Sequence, residues 1–385
     1  MGVSGNIRMY PIYTKGAALT PNAASSSPDR QEYLSFDITH ITWKMGSRKA
    51  GKVCDSISTQ ESDLQCYRKQ SQSARIGFEI PVINLWEVDG PGRLDVVSRV
   101  LSAASEVGFF QVVNHGIGRE LLERMLESNW TFHEMERELR ASYYSRDPEK
   151  KVRLSSNFDL YRSKYANWRD TLVCVMGPQG LGPLELPPVC RDVIMEYSKA
   201  VKALGMTLFE LLSEGLGLER NYLKDMECGK GHAILCHYYP PCPEPHLTMG
   251  TTRHSDPAFL TILLQDNMGG LEVLYRDRWV KVLPLPGALI VNIGDLLQLL
   301  SNDVYKSVVH RVRANLVGPR LSVAFFFRHY LWPSTRKYGP IKEILSEHRP
   351  ALYKEITIDD FSDEYYSRGL GDKRKSVLEH FRLQT

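Results

Sequence analysis

Apolar residues change their spacing twice along this chain, and each change marks a different kind of structure. Up to residue 75 they follow almost no period: NAASSSPDRQ is a Ser-rich polar break, and MGSRKAGKVCDSISTQESDLQCYRKQSQSAR carries almost no apolar repeat. A segment that buries little apolar surface cannot offset the entropy of ordering, so residues 1–75 are expected to form a poorly ordered tail. GFEIPVINLW then opens ordered structure as a short strand with a proline at its edge. From 76 to 220 the spacing is mainly helical. Leu94, Val97, Leu101 and Ala104 make one stripe that stops at Gly108, and Ile194, Tyr197, Val201, Leu204, Leu208 and Leu211 make a longer one ending before Gly215. FFQVVNHGI, near the first stripe, reads as a buried strand. These stripes are core and receive no functional role.

After residue 230 the period becomes two. HAILCHYY, AFLTILLQ, GLEVLY, RWVKV, GALIVNI, SVVHRVRA and RLSVAFFF read as short strands divided by Gly, Pro, Asp and Asn, with YRDRW as a hairpin turn. Many short strands at close spacing without intervening helices indicate an antiparallel sandwich or barrel. Helical patterning returns around residues 340 to 347. The expected organisation is α+β: a tail (1–75), a helix-rich part (76–220), a β core (230–335) and a C-terminal cover (336–385).

Composition narrows the function classes. A formal net charge of +3, evenly interspersed over 385 residues, argues against a nucleic-acid partner. Apolar runs such as GALIVNIGDLLQLL are interrupted by acids or amides and are shorter than a membrane span, so no membrane partner is expected. Seven cysteines stand at 54, 66, 174, 190, 228, 236 and 242, with no CxxC and no secretory leader read ahead of them. They are expected as reduced thiols in a cytoplasmic protein that acts as a monomer. MGVSGN begins like a myristoylation site, but Asn6 stands where Ser or Thr is wanted.

The candidate chemistry begins at TTRHSDPAFLTILLQD. On a strand, His254 and Asp256 would project to the same face. Alone, such a pair is weak, since an aspartate before proline often caps a turn. His310, 54 residues later in SVVHRVRA, adds a second imidazole from another strand. Two imidazoles and one carboxylate form a facial triad, which suits iron(II) and leaves positions open for substrate and oxygen; zinc competes for the same ligands. Ten residues further on, Arg320 and Ser322 share a face of the apolar RLSVAFFF. Burying an unpaired guanidinium is costly, and its planar fork matches a carboxylate, so a dicarboxylate cosubstrate fits: one end on the metal, the other on Arg320 and Ser322. Each piece has a bland reading; the ordered set HxD, H, RxS on a β-rich background does not.

These residues, with GFFQVVNHGI, SNFDLYRSKYANWRDTL, HYYPPCPEP, GALIVNIGDLLQLLSN and YKSVVHRV, resemble the plant iron(II)- and 2-oxoglutarate-dependent dioxygenases, over about four-fifths of the chain. The chain looks most similar to the 1-aminocyclopropane-1-carboxylate oxidase homologues, a group that includes dioxygenases of benzoxazinoid and alkaloid pathways. The resemblance implies a distorted double-stranded β-helix (jelly roll) core. It assigns His254, Asp256 and His310 to iron(II), and Arg320, Ser322 and Tyr239 to 2-oxoglutarate. His237 stands where the family usually has asparagine, and a cosubstrate contact or a plain core role are equally open to it. The family chemistry is decarboxylation of 2-oxoglutarate to succinate and carbon dioxide with O2, coupled to hydroxylation, demethylation or desaturation of a small-molecule substrate, with ascorbate as reductant. Asn157, Tyr161, Trp168, Phe325 and Phe327 are candidates for the substrate wall. The rivals are a true 1-aminocyclopropane-1-carboxylate oxidase, a non-catalytic small-molecule receptor on the same scaffold and, last, a zinc hydrolase.

Overall fold

A computed structural model describes residues 78–157, 167–329, 335–368 and 376–384. The expected tail, 1–75, lies outside the described residues. Among the described residues twelve strands form two sheets. The larger has the order β1 (Val82–Asn84), β2 (Phe109–Val113), β10 (Leu289–Ile293), β7 (Leu260–Gln265), β12 (Arg320–Phe327), β5 (His232–Tyr239), β4 (Asp170–Val175), β3 (Val152–Ser156). The smaller runs β6 (Met249–His254), β11 (His310–Arg313), β8 (Leu271–Tyr275), β9 (Arg278–Lys281). Among the described strands every pairing is antiparallel except β1 with β2. This is the architecture of the double-stranded β-helix.

Side-chain parity on β12 decides which residues meet the helices and which meet the second sheet. Val323, Phe325 and Phe327 belong to the large helix-side core, together with Ile234, Ile262 and the inner face of helix α3 (Arg191–Gly215). Phe327 packs edge-on to Phe209 at 5.3 Å, and a Cβ on Gly205 would sit 2.0 Å from the Phe327 ring, so only glycine fits there. Arg320, Ser322, Ala324 and Phe326 alternate to the opposite, inner face. A second cluster (Phe109, Tyr239, Val273, Ile290 and Val312) fills the space between the two sheets.

Several expectations are corrected here. Phe325 and Phe327 are not substrate-wall residues: they differ by an odd number of positions from Arg320 and Ser322, and are buried against the helices. Strands β3 and β4 lie within the part read as mainly helical; they extend the larger sheet beyond β5. Leu94 is 80% exposed in helix α1 (Arg93–Glu106); Val97 and Ala104 of the expected stripe are buried, joined by Val96, Val100 and Ala103. The 340–347 pattern yields only a 3-10 turn at Lys342–Ile344, and the cover contains a longer helix, Ile358–Arg368. MGTTRH forms β6 although it carries little apolar signal. That strand ends at His254, so Asp256 lies beyond it, and the pair meets through the turn into β7 rather than by strand periodicity.

Candidate metal centre

His254 and His310 are brought together by strand pairing: they stand opposite each other in the β6–β11 ladder, with ring centroids 4.3 Å apart. Asp256 enters from the turn that follows. Its Oδ1 lies 3.5 Å from Nε2 of each histidine. One ligand atom from each of the three lies within 4.8 Å of the others. The opposite ring nitrogens are occupied. Nδ1 of His254 donates to the Thr252 carbonyl at 2.8 Å, and Nδ1 of His310 donates to the Val308 carbonyl at 3.2 Å. A carbonyl can only accept, so in the neutral rings the lone pair falls on Nε2, facing the carboxylate.

Asp256 is only 2% exposed. Its Oδ2 accepts from the Thr261 hydroxyl at 2.7 Å and the Asn292 amide at 2.8 Å, which turns Oδ1 toward the imidazoles. Burial alone would raise its pKa, but the facing histidines and Asn292 outweigh burial and hold the carboxyl below its usual range. Burial, reinforced by His254, pushes His310 down to about 4 against the pull of Asp256. An anionic carboxylate converges with an imidazole that stays neutral near pH 7. This 2-His-1-carboxylate donor set fits a divalent cation such as iron(II).

Arg320 is 1% exposed on the inner face. Nε donates to the Gly269 carbonyl at 2.6 Å, Nη1 to the Ser322 hydroxyl at 3.0 Å, and Nη2 to the Gln265 amide oxygen at 3.0 Å. These hydrogen-bond acceptors are all neutral, although the Asp266 carboxylate is near enough to feel the guanidinium's charge. Its Cζ lies 4.9 Å from the Tyr239 ring centroid, and strand register sets Arg320 opposite Tyr239 and Ser322 opposite His237. Nδ1 of His237 pairs with the Thr171 hydroxyl at 3.0 Å. Burial first, then Arg169 and Arg320, hold this imidazole well below its ordinary pKa, so it is neutral.

Sequence reasoning missed several neighbours. Arg169 donates to the Thr251 hydroxyl at 2.9 Å, and that hydroxyl also pairs with the Tyr239 hydroxyl at 3.2 Å. Thr261 and Asn292, which hold Asp256, were missed too. Phe326, on the face of Arg320 and Ser322, could have been found by counting in twos from Arg320. Asn157 and Trp168 occupy anchoring positions: the Asn157 amide oxygen accepts the Asn167 N–H at 2.9 Å, and the Trp168 indole donates to the Pro240 carbonyl at 3.1 Å. Tyr161 lies outside the described residues. A cleft of about 560 Å³, lined in part by Tyr275, Arg276, Gln298, Lys306 and Val308, includes none of the triad. It lies beside the segment that leads into His310, and the donor chemistry, not this cleft, locates the site.

Residues 230–329 match the 2OG-Fe(II) oxygenase superfamily, and residues 80–181 match the N-terminal region described as non-haem dioxygenase in morphine synthesis. The chain is 53% identical over 294 residues to 1-aminocyclopropane-1-carboxylate oxidase homolog 1 of Arabidopsis thaliana, covering 76% of this chain and 80% of the relative. It belongs to the 2OG-Fe(II) oxygenase superfamily. Homolog 5 of the same plant is 49% identical over 362 residues, 93% of this chain and 90% of that protein. Among solved structures, JOX2 in complex with 2OG, Fe and JA superposes with a TM-score of 0.72 at 34% identity, covering 81% of this chain and 91% of JOX2. The rice dioxygenase for auxin oxidation shares the fold, with a TM-score of 0.66 at 23% identity over 79% of this chain and all of that one. As a member of this superfamily, the chain is a dioxygenase that works with iron(II) and 2-oxoglutarate.

Proposed function

We propose that this dioxygenase oxidises a small plant specialised metabolite at a C–H bond, by hydroxylation or by the related demethylation or desaturation. His254, Asp256 and His310 would hold iron(II). Arg320 and Ser322 would grip the distal carboxylate of 2-oxoglutarate, with Tyr239 and His237 beside it. When bound, the metal and cosubstrate supply the oxygen chemistry: O2 and 2-oxoglutarate are consumed, one oxygen atom leaves in succinate with loss of carbon dioxide, and the other oxidises the substrate. The chain's own residues bind and orient. The Nδ1 hydrogen bonds fix the imidazole tautomers. Thr261 and Asn292 fix the carboxylate. Arg320 supplies a desolvated cation whose described acceptors are neutral, and this observation carries the cosubstrate assignment.

A small-molecule substrate is supported by JOX2, which is solved in complex with 2OG, Fe and JA. Ascorbate as reductant, a monomeric state and a cytoplasmic location belong to the same proposal. No described helix is long and apolar enough to cross a membrane. The test is anaerobic iron loading followed by an oxygen-dependent succinate assay against fractionated plant metabolites. Succinate formation that depends on a metabolite fraction, and disappears in Asp256→Ala, supports the reading. Turnover of 1-aminocyclopropane-1-carboxylate with ascorbate and no succinate would replace it with the ethylene-forming oxidase.

A further inference from the structure

We propose that two side-chain amides outside the triad, Gln298 and Asn167, are positioning residues that aim His310 and His254 by holding the backbone next to the carbonyls those rings donate to. The proposal rests on the reading of His254, Asp256 and His310 as the metal ligands. Both histidines use the same local device: Nδ1 donates to the carbonyl two residues earlier, Val308 for His310 and Thr252 for His254. The ring can then be no better oriented than that carbonyl. The Val308 carbonyl lies just outside β11, and the Thr252 carbonyl lies in β6 at a register shift in its pairing with β11, so each stretch of backbone is open to a further restraint.

An amide oxygen from a separate element supplies it each time. The Thr252 N–H, in the same residue as the carbonyl, donates to Asn167 Oδ1 at 2.7 Å. Asn167 is itself anchored, its N–H donating to the Asn157 amide oxygen at 2.9 Å. On the other side, the Ser307 N–H donates to Gln298 Oε1 at 2.6 Å, one residue before Val308. One residue after Val308, the Leu274 N–H donates to the Val309 carbonyl at 2.8 Å. The backbone around Val308 is therefore held on either side, at Ser307 and at Val309. Gln298 projects from helix α4 (Asp295–Leu300), and its Nε2 donates to Asp303 Oδ1 at 2.8 Å. Asp303 also receives the Tyr353 hydroxyl and Arg382, the latter at 2.6 Å, so the C-terminal segment braces the same clamp. With Asn292 on Asp256 itself, each triad member answers to one neutral amide from a different element. A neutral amide can accept an N–H in a buried site without adding a charge that would compete with the ligand carboxylate.

The test uses the full chain and Co(II), an oxygen-stable stand-in for iron(II), titrated by its visible absorption, with thermal unfolding of the metal-free protein in parallel. Groups hydrogen-bonded directly to a metal ligand are worth roughly 10–100-fold in metal affinity, and these amides act one step further out. Gln298→Leu and Asn167→Leu are each expected to weaken Co(II) binding by up to about tenfold, a loss that a merely structural residue would not show at temperatures where the variant stays folded. If the Leu variants do not fold, Gln298→Asn and Asn167→Ala are read in the same way. Wild-type Co(II) affinity in the Leu, Asn or Ala variants overturns the proposal. His254→Ala tests the underlying reading separately: if it binds Co(II) like the wild type, the ligand assignment falls, whereas loss there with intact affinity in the amide variants removes only the positioning role.

Discussion

Replacing Arg320 with alanine removes the charge on which the cosubstrate assignment depends. In the wild type this guanidinium is 1% exposed and donates to three neutral oxygens, from Gly269, Ser322 and Gln265. A dicarboxylate entering the barrel would meet a cation already stripped of water and held in place, so little reorganisation opposes binding. Without it, the distal carboxylate loses its bidentate charged partner. Losing one partner of a desolvated, hydrogen-bonded charge pair costs on the order of 3–4 kcal/mol. At about 1.4 kcal/mol per decade, 2-oxoglutarate affinity should fall by roughly two to three decades. Arg320→Lys should recover only part of this, because an ammonium lacks the planar fork. The assay is calorimetric titration of 2-oxoglutarate into anaerobic, metal-loaded protein, with the melting temperature of each variant checked first. A folded Arg320→Ala protein that binds 2-oxoglutarate within about threefold of the wild type would refute the reasoning.

Three other outcomes follow from the structure. His237→Asn should retain activity, while His237→Leu should raise the KM for 2-oxoglutarate more than that for substrate; steady-state kinetics with each varied in turn checks this, and an unchanged cosubstrate KM returns His237 to a core role. Phe327→Ala should destabilise the fold by about 3–5 kcal/mol by opening a cavity against Phe209, whereas Phe326→Ala, on the inner face, should cost less stability and instead alter substrate kinetics; denaturant unfolding separates the two, and equal stability losses would contradict the facing assigned here. His232 is lowered by burial, and secondarily by Lys202, from 6.5 to about 4, so its folded pKa lies below its unfolded one. Its stabilisation is complete above pH 6.5 and is lost as pH falls toward 4, up to about 3 kcal/mol. His232→Gln should flatten the fall in unfolding free energy between pH 6.5 and 4 by up to about 1.4 kcal/mol per pH unit, and an unchanged slope would show that the ring does not titrate this way.

The sequence by itself determined the chemistry of this protein, because chemistry depends on residue type. Two imidazoles and a carboxylate are needed to hold the metal, and a guanidinium with a hydroxyl to hold a carboxylate. His254, Asp256, His310, Arg320 and Ser322 are recognisable in order without any coordinates, and period-two patterning placed His310, Arg320 and Ser322 on strands. Facing and neighbourhood were decided only by tertiary structure. Phe325, Phe326 and Phe327 are identical in composition, yet the middle one shares the inner face with Ser322 while its neighbours pack on the helix side. Strand β6 is too polar to announce itself, and it earns its place by pairing His254 with His310 across β11. Asp256 reaches the histidines through a turn, which no periodicity describes. Arg169, just before β4, joins the site with Thr251, Thr261 and Asn292 on β6, β7 and β10, and the amides of Asn167 and Gln298 come from a loop and a helix. Their roles come from distances that close only when the two sheets stack, and a one-dimensional pattern has no means of recording them.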